Sequence, residues 1–528
     1  MKRTTLSLIA GATALAAVTG FASLTTPDGS AAPQVKAPTR LPVERAGLAC
    51  PVPSTSEVAE TLYTSYTPPS GGTDPAKGGT GGTGGTAGTA GAGGSGTADK
   101  PAAATAQLRP ATSATTSGGA TKGGKKAKAP KAPATVTAPG KPVTAEANGP
   151  AAPALTGAAT GTLAPGWTVQ QTTVVPAGGA RGLLGLSCGA PDTDFWFPAA
   201  STAKERQDYV HLTNPDDTAA VADIELYGPE GVLKSQFTEG IPVPARSTVP
   251  VLLSTLTGEA AQQSVTVHVT TRSGRVGAAI GSADEKLGSD WLAASADPAS
   301  TAVLPGIPAD ATSVRLVAFV PGEDDADLKV QLVTRNGTIV PAGAGSLHVK
   351  SGMTASVELP DLTRGEAGSL VLSPSDPKKP TPVVAALRVV RGKGENTEVA
   401  FVPATGAISA RATIADNRAK GTTLALTAVG ADAQVKVTAS AGSGGGTPVS
   451  RTVTVKGGTT TALTDLVPQG LKGSYALTVE PVSGGKVYAA RTLAVPLDDT
   501  PMFTVQTFVD DRGTVEVPSA RQDLGVLD

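Results

Sequence analysis

From Asp192 onward, apolar and polar residues alternate in short runs closed by Gly, Pro, Asn or Asp. In SVTVHVT, which starts at Ser264, Val265, Val267 and Val269 share one side and Thr266, His268 and Thr270 the other. A two-residue period with one apolar side is the mark of a strand that buries one face. RVGAAI, SLVLSP, VVAALRV, SYALTV and VYAARTLAV carry the same texture. No run of helical period competes with them, so the pattern predicts an all-β chain of antiparallel strands.

The runs also repeat. Leu256, Leu362 and Leu466 stand 106 and 104 residues apart. Each is followed by a first strand (from Ser264, Ser369 and Ser474) and then a second through Val276, Val383 and Val487. A unit of about 105 residues is too long for a propeller blade and suits a β-sandwich. We therefore expect tandem antiparallel β-sandwiches, immunoglobulin- or fibronectin-III-like in class, at 200–305, 306–408 and 409–510, with a tail at 511–528. None of the three holds an internal cysteine pair, so each rests on packing alone. Three segments, DFWFPAAS, AVLPGIPA and AFVPATGA, read as equivalent ends of units. By analogy, 42–69 plus 166–199 reads as an incomplete leading unit.

Between the two parts of that leading unit the chain changes character. Residues 70–160 are mostly Gly, Thr, Ala, Pro and Lys, as in KGGTGGTGGTAGTAGAGGSG at 77–96. So little apolar surface cannot offset the entropy of ordering, and the span is expected to be a disordered insert. At the N-terminus, Lys2 and Arg3 precede an apolar run from Leu6 to Leu24. This has the form of an export signal, and residues 1–31 read either as a cleaved signal peptide or as a retained membrane anchor.

Composition narrows the function. The net charge of −1 gives no field to steer the chain to nucleic acid. Aromatic residues make up only 3% of the chain, which leaves few stacking platforms. Cys50 and Cys188 are the only cysteines. In an exported chain they read as one disulfide; CxxC spacing for redox work is absent, and RAGLAC lies too far behind the apolar run to be a lipid-attachment site.

Several stretches together resemble a known family: the leader MKRTTLSLIAGATALAAVTGF, LPVER and LACPVPS, SCGAPDTDFWFPAASTAKERQDYVHLTNPDD, RSGRVGAAI, LVAFVPGEDDADLKV and PMFTVQTF. They are similar to the domain of unknown function 5719 family, a group of predicted secreted actinobacterial proteins. The resemblance implies export to the cell envelope. It implies no activity, cofactor or catalytic residue.

Candidate chemistry is sparse. His211, His268 and His348 sit in different strands without HExxH or i, i+4 spacing, and read as solvated outward positions rather than metal ligands. The acidic turn Glu323–Asp327 could attract calcium, but it lacks the EF-hand spacing, and Asp favours turns for local reasons. The Lys122–Lys131 cluster could hold anionic wall polymers or merely solvate a linker. Phe195, Trp196 and Phe197 could form a sugar platform, although an alternating strand must turn some of them inward. There is no GxSxG elbow and no identifiable acid pair. The reading is a non-catalytic secreted or envelope protein, structural or adhesive, without cofactor. Its partners would be wall polymer or other envelope proteins, and it would meet the membrane only through an uncleaved N-terminus. A carbohydrate- or peptidoglycan-binding module is the alternative, and an envelope hydrolase a weaker third.

Overall fold

The computed structural model describes residues 39–69, 104–113, 134–235, 239–258, 261–360, 362–511 and 513–517. Pro42–Gly513 form one compact unit. The strands Thr39–Pro42 and Thr514–Val517 make a separate two-stranded sheet, with Arg40 and Glu516 paired at 3.0 Å, both exposed. The span 511–528, read as a tail, thus contributes a strand.

The large unit is built from four sandwiches with one strand order. In each, one sheet runs first–fifth–third strand with a short hairpin strand beside the third, and the other runs seventh–sixth–second–fourth. The first sandwich shows the scheme: Asp194–Ala200, Val265–Ser273, Ala220–Gly228 and Gly231–Leu233 in one sheet, and Gly288–Leu292, Gly277–Asp284, Arg206–Thr213 and Ser247–Leu252 in the other. The alternation read from sequence places its core: Val265, Val267 and Val269 are fully buried against Val210, Leu212 and Ile280 of the opposing sheet. The second sandwich repeats this around Leu316, Leu328, Leu370 and Leu387.

The third sandwich departs in one respect. Thr422–Ala439 (18 residues) and Tyr475–Ala494 (20 residues) each pass through both sheets, where the other copies break into two strands. Register shifts between Val429 and Ala433 and between Gln434 and Val435 supply the bend, as bulges do. Gly484 (φ 95°) sits at the same corner, where a Cβ would run into the Asp432 carbonyl.

Three expectations need correction. The leading unit is a complete fourth copy, not a fragment: Arg45–Cys50, Leu155–Thr160, Ala106–Pro110 and Thr135–Val136 form one sheet, and Gly182–Ser187, Thr168–Val175, Glu60–Tyr66 and Val143–Asn148 the other. Consequently the 70–160 span is not one disordered insert. Its described parts, 104–113 and 134–160, contribute core residues such as Leu108, Val136 and Leu155, which pair and pack despite their low-complexity surroundings. Thr112–Ser113 even adds a parallel strand beside Ser247–Leu252 of the first sandwich.

The junctions also move. Asp194–Ala200 and Ala302–Ile307 open the first and second sandwiches by pairing with their fifth strands, so neither closes the unit before it. Asn396–Pro403, by contrast, closes the second. The segment equivalent to the two openers is Ala412–Asn417, which lacks their proline but keeps the bulge they share. Residues 1–31, 77–96 and 122–131 lie outside the described residues.

Candidate functional site

The last strands of the four sandwiches meet one another. Gly182–Ser187 touches Gly288–Leu292 and Phe503–Thr507, and Asn396–Pro403 touches the same two, so the four close a cycle. Most seams around it are apolar. Trp196, Phe319 and Val384 join the first and second sandwiches; Val303, Val371 and Tyr488 join the second and third; Leu184, Leu186 and Trp291 join the leading and first.

The centre is polar. Asp290 is fully buried on the first sandwich's last strand. Its carboxyl accepts the Gly185 N–H of the leading sandwich at 2.9 Å and the Thr504 hydroxyl of the third at 2.9 and 3.1 Å. Gln506 Nε2 donates in turn to Thr504 at 2.5 Å. Gly185 is needed here because a Cβ would lie 2.6 Å from the Thr504 methyl carbon and would also strike Gln506. On the second sandwich, Glu398 is fully buried and its Oε1 accepts the Leu183 N–H at 3.0 Å. Arg181 reaches across to the Thr397 carbonyl at 2.7 Å. Arg491, also fully buried, donates to the Asp416 carbonyl at 3.2 Å.

Burial governs the protonation of this cluster. It raises Asp290 well above the usual carboxylate range and lifts Glu398 to about 8, against the opposing pull of the Leu183 N–H and of Arg181 and Arg391. It pushes Arg491 down to about 10. Because the folded-state value for Glu398 exceeds its unfolded value of 4.5, the stability it contributes is complete below about pH 4.5 and is lost as pH rises to about 8. Glu398→Gln keeps an acceptor for Leu183 without a charge. Its melting temperature should therefore fall less between pH 5 and pH 8 than that of the wild type, by a few degrees, in a melting series across that range. Equal slopes would contradict the assignment.

The residues singled out by sequence fall elsewhere. Cys50 and Cys188 are bonded, with Cα atoms 4.7 Å apart. They join the end of the leading sandwich's first strand to the residue following its last, where Ala49 also donates to the Gly189 carbonyl at 2.9 Å. The histidines do not converge. His211 is not solvated as expected: it packs against Trp291, ring centroids 5.1 Å apart, and burial drops it to about 4. His268 stacks on Trp196 at 3.6 Å and bonds Asp194 at 3.1 Å. His348 is exposed and bonds Asp327 at 2.8 Å.

The acidic turn is occupied by these local bonds, with Asp325 accepting the Ser351 N–H at 2.8 Å. Among the described residues no group of three or more His, Cys, Asp or Glu is placed to hold a metal. Phe197 lies in the first sandwich's core, while Trp196 is covered by Phe319 and Tyr227, so neither ring offers a free sugar face.

Sequence reading missed an open groove of about 560 Å³ between the first and second sandwiches. It is lined by Gln262, Gln263, Arg315, His348, Lys350 and Met353, among others. Its walls lie about 90 residues apart in the chain, and no local motif links them.

A family model described as a family of unknown function, DUF5719, matches residues 143–465, more than half of the chain. The chain belongs to that family. No curated protein and no solved structure matches it.

Proposed function

We propose that this DUF5719 protein is exported and acts, without catalysis, as a structural or adhesive scaffold that presents sandwich surfaces in the cell envelope or outside the cell. The observation that carries the reading is the use made of the buried polar groups. Asp290, Glu398 and Thr504 spend their hydrogen bonds on joining neighbouring sandwiches, which is the work of a rigid array. Export is supported by the charged and apolar leader and by the Cys50–Cys188 bridge, which persists in oxidising compartments. Among the described residues no helix is long and apolar enough to cross a membrane. A hydrolase gains no support from the two acids of the buried centre, Asp290 and Glu398, which accept backbone N–H groups of the leading sandwich's last strand rather than lining a cleft.

Fractionation of expressing cells tests this directly. The protein should be found in the wall or medium fraction with its bridge oxidised; a cytoplasmic, reduced pool would overturn the reading. The groove between the first and second sandwiches favours a second reading, a glycan-binding module, because concave sites at domain junctions are where small ligands and chain segments seat.

A further inference from the structure

We infer that the cycle of sandwiches opens and closes at one seam, between the third and the leading sandwich, and that Arg411 is the latch that holds it shut. The inference goes beyond the scaffold reading by giving the array one movable joint.

The course of the chain sets this seam apart. Each of the other three is crossed by a connection: 188–193 leads from the leading sandwich into the first, 293–301 from the first into the second and 404–411 from the second into the third. The third and leading sandwiches are the two ends of the cycle, so parting them breaks no covalent link. Beyond them the chain ends pair as Thr39–Pro42 and Thr514–Val517, two short strands whose residues are all exposed, and such a pair is marginal by itself. The apolar contact at the seam is also small. It consists of Tyr66 with Ala415 and Ala476, and of Leu183 with Leu493 and Met502. By contrast, the core of the first sandwich runs on into Val317, Val390, Val399 and Phe401 of the second, and that of the second into Ala490, Phe503 and Val505 of the third.

The facing surfaces carry polar groups without partners. Alternation puts Thr64 on the same face as Tyr66. The register places Gln170 beside Thr64, and Thr172 beside Gly185, the residue that meets Thr504 and Gln506 of the third sandwich. All three side chains are buried, yet Thr64 Oγ1, Gln170 Nε2 and Thr172 Oγ1 find no hydrogen-bond partner among the described residues. The same holds on the third sandwich for Gln506 Oε1 and for Nε and Nη2 of Arg491, its neighbour in register. Buried polar atoms left unpaired weaken a closed seam, and opening it returns them to water. Arg411 works the other way. Its Nε pairs with Asp511, its Nη1 donates to the Pro69 carbonyl at 3.2 Å and its Nη2 to the Pro165 carbonyl at 3.5 Å. One planar guanidinium thus ties the third sandwich to two loops of the leading one. Gly166 makes room for it, because a Cβ there would lie 2.6 Å from Arg411 Nη2.

Pulsed electron-spin distance measurements on the full-length protein, with its bridge intact, test this through two label pairs at exposed positions. Glu60→Cys with Gln434→Cys spans the closing seam, and Glu230→Cys with Lys329→Cys spans the seam between the first and second sandwiches. Arg411→Ala removes two hydrogen bonds across the closing seam, and should raise the fraction of a longer distance at the first pair roughly ten-fold. The second pair should not change. Arg411→Lys lacks the planar fork and should act in the same direction, which keeps the test available if the alanine variant folds poorly. Adding Thr64→Val and Thr172→Val to either variant should lower the open fraction again, because these near-isosteric changes remove unpaired hydroxyls from the closed form alone. If both label pairs lengthen together, the substitution loosens the whole cycle and the inference fails. If neither lengthens, this seam is not the joint and Arg411 is not its latch.

Discussion

Opening the Cys50–Cys188 bridge should lower the melting temperature of the leading sandwich by roughly 10 °C, whether by reductant or by the double substitution Cys50→Ser/Cys188→Ser. The bridge closes a loop of 138 residues that contains every strand of that sandwich except the first. On the chain-entropy account such a loop stabilises the folded state by at most ~5 kcal/mol. A unit of this size shifts by about 2–4 °C per kcal/mol. The same account says that the length of the low-complexity residues hardly matters. Loop entropy grows with the logarithm of length, so removing 77–96 would change the bridge's contribution by only about 0.1–0.2 kcal/mol. Scanning calorimetry with and without reductant gives the answer, and a shift under about 2 °C would refute the clamping role. The prediction carries over to the neighbours, because Leu183, Leu184 and Leu186 on the strand ending beside Cys188 pack against the first and third sandwiches. Reduction should loosen both seams together.

The repeat was legible because its landmarks are local. Leu256, Leu362 and Leu466 each precede an alternating strand at nearly constant spacing, and alternation fixes which side is buried. The fourth copy escaped for a compositional reason. Its second-to-third and third-to-hairpin connections carry residues 70–103 and 114–133, which break the spacing, and its strands use alanine and threonine where the others use valine and leucine. The central cluster escaped for a geometric one. Asp290, Thr504 and Gln506 stand on last strands whose polar residues read as solvent-facing when a sandwich is considered alone. Another sandwich covers that face, and a period of two cannot tell water from a polar neighbour. His211 was misplaced by the same argument. The disulfide needed only a count of cysteines and a compartment, whereas the groove needed the relative placement of two units that no single strand encodes.

Asp290→Ala should be among the most damaging single substitutions in the chain, at about 3–5 kcal/mol. One carboxyl here serves three sandwiches: it stands on the first and accepts from Gly185 of the leading one and Thr504 of the third. Alanine leaves the Gly185 N–H and the Thr504 hydroxyl buried without that acceptor, at about 1–3 kcal/mol for each, and opens a small void besides. The Gln506 bond to Thr504 would then lose its anchor. Asp290→Asn separates this account from a generic core defect. Burial already favours the neutral carboxyl, so the amide removes no required charge, and its oxygen still accepts from Gly185. Asparagine should therefore cost about 1 kcal/mol, the strain of turning an NH₂ group toward a hydroxyl that can rotate to accept it. The shape of the transition carries as much information as its midpoint. The alanine variant should melt in two well-separated steps, the leading sandwich first, because its hold on the first and third has been cut at their common point. Near-wild-type, single-step melting of Asp290→Ala would mean that the apolar seams alone couple the four copies and that the polar centre is incidental to the assembly.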